Sequence, residues 1–163
     1  MLWHFPSVVI SRFEDIESWQ LARQLAVGIY GASRSGPFAK DFGLRDQIQR
    51  SSVSVMANIA EGFGRSGKIE FIRYLTIAQA SSIEVQSHLY IALDLGYVAQ
   101  PEFECLYSRA ERVRQVIGGF IRYLRSCHDH PERETENEKR ETRNFSTYFP
   151  IKSTSTLIRV PST

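Results

Sequence analysis

Cysteine is nearly absent from this chain, with only Cys105 and Cys127 in 163 residues. The pair matches no metal-ligand spacing and no disulfide framework, so the sequence predicts reduced thiols in a cytoplasmic protein. Missing too is any apolar run near the roughly 20 residues that a membrane span requires, so no membrane partner is expected. The N-terminus, MLWHFPSVVISR, has no basic region ahead of its apolar stretch and makes a poor signal peptide. Strong charge of one sign is also lacking. Twenty Lys and Arg against 18 Asp and Glu leave a net +2, which alone calls for neither nucleic acid nor membrane. No P-loop, Gly-x-Gly-x-x-Gly or Ser-His-Asp order occurs.

What is present is helical. A chain of 163 residues suits one domain with a sizeable core. A first helix is predicted from about Asp15 to Ser33, with Trp19, Ala22, Ala26 and Ile29 on one stripe and Leu21 and Leu25 beside it. The SGPF run at 35–38 breaks it. A second is predicted from about Asp41 to Glu61. There Leu44, Ile48, Val55 and Ile59 face one way, while Val53, Met56 and Ala60 face another. Two apolar faces imply burial on more than one side, and Gly62 and Gly64 read as the glycines that end the helix.

The third helix, from about Gly67 to Leu95, takes Ser66 as its expected N-cap. Phe71, Leu75, Ala78, Ser82, Val85, Leu89 and Ala92 repeat at steps of four and three, and Ile72, Ile83 and Tyr90 form a second apolar edge. Gly96 closes this helix and Pro101 opens the fourth. The fourth carries the most regular stripe: Phe103, Leu106, Ala110, Val113, Ile117, Phe120 and Leu124. Alternation of three and four is the seam of helices packed at about 20°. With no β-alternation over 13–126, the fold class is all-α, an up-down-up-down four-helix bundle. Residues 1–12 are a short extension. Residues 127–163, with the run HPERETENEKRETR followed by Ser, Thr and Pro, are expected to be a disordered tail. Its Tyr148, Phe149, Ile151, Leu157 and Ile158 would make at most a short partner-binding segment.

The stretch RSSVSVMANIAEGFGR (50–65) gives an unusual share of a helix to small polar groups. Gln47, Ser51, Ser54, Asn58, Glu61 and Arg65 recur at steps of four and three as one stripe. A solvent face would more often carry Lys, Glu and Arg. Small hydroxyls beside apolar faces suit a close helix–helix or intersubunit contact instead, through Ser51, Ser54, Asn58 and Glu61.

Residues 50–85 resemble the four-helix-bundle family of 23S rRNA-intervening-sequence proteins, through Asn58-Ile59-Ala60-Glu61-Gly62, Gly64-Arg65, and Phe71 with Leu75. FEDIESWQLA (13–22), GLRDQIQR (43–50) and LDLGYV (93–98) extend the resemblance in order over 13–126. It implies a bundle that assembles as a homo-oligomer, a pentameric ring, with no established enzymatic activity. It also implies kinship with accessory proteins of retroelement reverse transcriptases, some of which bind nucleic acid.

Three functional classes follow. Nucleic-acid binding would use Arg45, Arg50, Arg65 and Lys68 around the second helix, and Arg109, Arg112, Arg114, Arg122 and Arg125 along the fourth. Symmetric assembly would sum their fields over RNA or DNA. A structural or adaptor role, with a reverse transcriptase or another polypeptide as partner, is the alternative. A bundle enzyme is the weakest: Glu84 and His88 lack the second Glu/His pair of a di-metal site, and Cys127, His128 and His130 make a poor one. No catalytic residue, metal or cofactor is assigned.

Overall fold

Helix α4 (Gln100–Ser126) realises the most regular stripe, and all seven of its residues, Phe103 to Leu124, are buried. The third helix, α3 (Lys68–Asp94), does the same with its seven, Phe71 to Ala92. Steps of three and four place one residue per turn on a single line, so each helix presents a continuous apolar ridge to its neighbours. Each fully buried Leu, Ile or Phe contributes about 1.5–3 kcal/mol of burial free energy. The computed structural model describes residues 3–5, 8–65 and 67–127, with side chains from Ile10 onward. The tail expected to be disordered lies outside the described residues beyond Cys127, as does Ser66.

The remaining helices are α1 (Glu17–Ser33) and α2 (Phe42–Gly64). Consecutive helices pack side by side, and α4 returns to α1, giving the up-down-up-down bundle. Phe71 meets Phe120 edge-on at 5.4 Å and Phe63 at 6.3 Å, which fills one end of the core. At the other end Phe38, wholly buried in the turn after α1, stacks on Tyr97 at 5.3 Å.

The helix ends follow local chemistry. Asp41 caps α2 by accepting from the Leu44 N–H at 3.0 Å. Gly96, at φ 67°, stops α3: the Tyr97 N–H reaches back to the Ala92 carbonyl and the Gly96 N–H to that of Leu93. Pro101 sits in the first turn of α4. One expectation needs correction. Gly64 is the last residue of α2, as read from the sequence, but Gly62 lies within the helix, and extended Arg65 follows as its C-cap. The N-terminal extension carries a hairpin: β1 (Trp3–Phe5) pairs antiparallel with β2 (Val8–Ile10), Trp3 opposite Ile10. Strands of three residues are too short to show an alternation.

Candidate functional site

The small polar stripe of α2 faces α3 within the same chain. Ser51 is buried, and its hydroxyl lies within donating distance of the Gln47 carbonyl (2.9 Å) and the Glu84 carboxylate (3.1 Å). Ser54 and Ser81 hydroxyls meet at 3.0 Å, and Asn58 donates to the Ser54 carbonyl and hydroxyl. Glu61 accepts from both Arg65 and the Tyr74 hydroxyl, while the guanidiniums of Arg65 and Arg73 lie over the Tyr74 ring, 5.5 and 5.1 Å from its centroid. The hydrogen bonds to Arg65 and Tyr74 hold the Glu61 carboxyl below its usual range. Of the two contacts the stripe suggested, the helix–helix one is therefore met by α3 of the same chain.

Gly62 explains why these residues must be small. A Cβ there would stand 2.6 Å from the Tyr74 Cβ and 3.0 Å from the Phe71 ring. At the Gly62 end of the Asn-Ile-Ala-Glu-Gly run α2 and α3 thus approach too closely for any side chain. Sequence reading put Gly62 at a helix end, because a glycine near a turn gives no sign of what presses against it.

The nine cationic residues proposed for nucleic acid fall into two groups. Five are engaged. Arg45 bonds the Ala39 carbonyl and pairs with Asp46 at 2.8 Å, and Arg65 is held by Glu61. Lys68 donates to the Cys127 carbonyl at the end of α4, where a cation also meets the negative end of the helix dipole. Arg112 pairs with Glu17 at 3.4 Å, and Arg114 grips Glu111 with two nitrogens at 2.6 and 2.8 Å. That grip, helped by Gln115 and Gln86, pulls the Glu111 carboxyl down to about 2. Arg50, Arg109, Arg122 and Arg125 are exposed and meet no carboxylate among the described residues. Arg122 lies one turn before Arg125, which is in the last turn of α4. The Lys68 contact brings that turn beside the α2–α3 connection, so one end of the bundle collects Arg65, Lys68, Arg122 and Arg125.

The enzyme candidates do not converge. Glu84 is taken by Ser51, and the His88 Nδ1 is enclosed without a hydrogen-bond partner. Among the described residues no three His, Cys, Asp or Glu side chains gather to hold a metal ion. His128 and His130, the partners considered for Cys127, lie outside the described residues. Among the described residues Cys105 and Cys127 form no disulfide, and no helix is long and apolar enough to cross a membrane.

The second apolar faces read from the sequence are only partly covered by this chain. Of the α3 edge, Ile72 is half-buried and Tyr90 packs on Phe103 and Tyr107 of α4, while Ile83 is exposed. On α3, Ile77, Ile83, Tyr90 and Ile91 are 40–51% exposed. With Thr76, Ala80 and Ser87 they form an outer surface on which Glu84 is the only charge between Arg73 and Asp94. On α2, Val53 is exposed while Met56 and Ala60 are half-buried. Periodicity identified these faces but carried no signal of whether the chain itself would cover them.

Comparison with known proteins agrees with this architecture. No curated protein matches the sequence. A solved protein of unknown function from the S23 ribosomal protein family of Bacteroides thetaiotaomicron shares the fold, with a TM-score of 0.62 at 23% identity. The similarity covers 67% of this chain and 98% of that one. The model of the 23S rRNA-intervening sequence proteins matches residues 14–119, from the turn before α1 to the last two turns of α4. By that match, which takes in every helix of the bundle, the chain belongs to the 23S rRNA-intervening sequence protein family.

Proposed function

We propose that this protein is a non-enzymatic assembly module of the cytoplasm: copies associate through the outer face of α3, and the assembly binds RNA or DNA with the arginines that remain unpaired. One observation carries the reading. Between Arg73 and Asp94 the outside of α3 is apolar or hydroxylic apart from Glu84, with Ile83 51% exposed. A helix that faced only water would carry charged residues there, and contiguous exposed apolar surface marks an interface. The pentameric ring implied by the family resemblance is the specific form proposed.

Nucleic-acid binding is the consequence of assembly rather than of one chain. A net +2, with six arginines that meet no carboxylate among the described residues, gives a weak field. Rotational symmetry repeats the basic end formed by Arg65, Lys68, Arg122 and Arg125 around an axis and adds the fields together. An adaptor to a reverse transcriptase or another protein is the second reading, supported by the same uncovered face with a different partner on it.

The test is Ile83→Glu combined with Ile91→Glu, read by light scattering and circular dichroism. Glutamate keeps helix propensity, so the helical signal should persist while the mass falls to that of one chain. An unchanged assembly state in that variant would sink the proposed interface.

A further inference from the structure

Between α1 and α2, on the outside of the bundle, lies a groove of about 770 Å³ whose walls include Arg23, Ala26, Val27, Tyr30, Arg34 and Met56. Helix α1 packs against α2 and α4, so it stands diagonally across the bundle from the α3 face. Arg23, Val27, Tyr30 and Arg34 recur at steps of four, three and four, forming one outward line along α1. The middle of that line is apolar and uncovered: Val27 is 68% exposed and Tyr30 47%. Its two ends are cationic. Eleven residues at 1.5 Å each set the arginines about 16 Å apart along the axis. Neither arginine meets a carboxylate among the described residues, and no Asp or Glu occurs anywhere from 18 to 40.

We infer that this groove is a docking site for an acidic amphipathic helix of another protein. The charge pattern selects the partner's sign, since acidic side chains at both ends of the docked segment would meet Arg23 and Arg34. The floor selects aliphatic side chains. Ala26, Val27 and the adaptable thioether of Met56 accept leucine or isoleucine anchors spaced one turn apart, the usual way a helix lies in an apolar groove. The distance between the arginines sets a length of three to four turns, about 14 residues. A single nucleic-acid strand fits less well. Its phosphates between the two arginines would lie over aliphatic surface without a cation, and Tyr30 alone is no stacking platform. This inference uses no residue of the α3 face and does not depend on self-association.

The experiment is fluorescence anisotropy of the full chain with a labelled 14-residue helical peptide (leucines on one face, glutamates on the other). A peptide with lysine in place of glutamate and a single-stranded oligothymidine serve as companion probes. Three results are expected together: the glutamate peptide binds and weakens with salt, Val27→Glu weakens it about tenfold or more, and Arg23→Glu with Arg34→Glu moves the preference to the lysine peptide. Light scattering should give the same mass for Val27→Glu as for the unmodified chain. The inference is overturned if the unmodified chain ignores the glutamate peptide at millimolar concentration or binds both peptides alike. A change in the mass of Val27→Glu would mean instead that a second copy covers the groove. Binding of oligothymidine that is lost in the same variants would make nucleic acid the occupant.

Discussion

Gly62 sits against Tyr74 with room for a hydrogen and nothing more. A methyl placed there meets backbone-proximal atoms of α3 that cannot swing aside, so the helices must separate. Gly62→Ala should therefore destabilise the protein by about 1–3 kcal/mol, despite alanine's better helix propensity. Gly64→Ala, two residues on with nothing within 4 Å, should be neutral or mildly stabilising in the same urea titration. Glu17 makes a pH prediction. Its burial raises the carboxyl above the usual range, an effect that Arg112 at 3.4 Å only partly opposes, and its Oε2 has no hydrogen-bond partner. The folded chain keeps this proton to higher pH than the unfolded chain does. The group's stability is thus fully present in acid, below the ordinary glutamate value of about 4.3, and is lost as pH rises through the raised value. Glu17→Gln should raise the melting temperature at neutral pH and leave it unchanged at about pH 3. A lower melting temperature at neutral pH would mean that the pair with Arg112 outweighs desolvation. Neither role was legible in the sequence. Gly62 read as a helix end, and Glu17 gave no signal at all, because each depends on what another helix brings against it.

Between helices, polar side chains set the register of the bundle. Ser82 donates to the Ala110 carbonyl at 2.8 Å and Gln79 to that of Arg114, which ties α3 to α4. Ser54 and Ser81 tie α2 to α3, and Gln49 donates to Ser33 between α2 and α1. Ser54→Leu should act on this seam and overpack it, lowering stability by about 1–3 kcal/mol in chemical denaturation. Ser54→Ala removes the hydroxyl's hydrogen bonds with Ser81 and Asn58 without adding volume, and should cost about 1 kcal/mol. A leucine variant as stable as the alanine one would place Ser54 on open surface. At this scale the sequence was most informative. The stripes of α3 and α4 emerged with every member buried, since steps of three and four have one interpretation when sustained over six turns. The hairpin of β1 and β2 escaped, because three-residue strands have no period to read. The second faces of α2 and α3 were legible as apolar but not as partly uncovered. Periodicity tells which side shuns water, and says nothing of what lies against it.

For the whole molecule the account joins two surfaces of different character, the apolar outside of α3 and the unpaired arginines. If arginine fields add only in an assembly, the combined variant Arg122→Ala and Arg125→Ala should weaken RNA binding and reduce its salt dependence. Each lost phosphate contact lowers the slope against log salt by roughly 0.7–0.9. Arg114→Ala, whose guanidinium is already held by Glu111, should leave that slope alone. An equal effect from both would show that pairing with a carboxylate does not decide which arginines reach phosphate. The candidate arginines themselves were legible as residues, but their division into engaged and unpaired was not, because it depends on carboxylates from elsewhere in the fold, such as Glu17 opposite Arg112. The central claim is that one chain does not cover its own α3 face and a second copy does. Light scattering of the unmodified full chain at micromolar concentration tests this most directly. The account predicts one species of several chains, with five times the 18.7 kDa of a single chain for the proposed ring. A mass of one chain, holding at every concentration and at low salt, would contradict it.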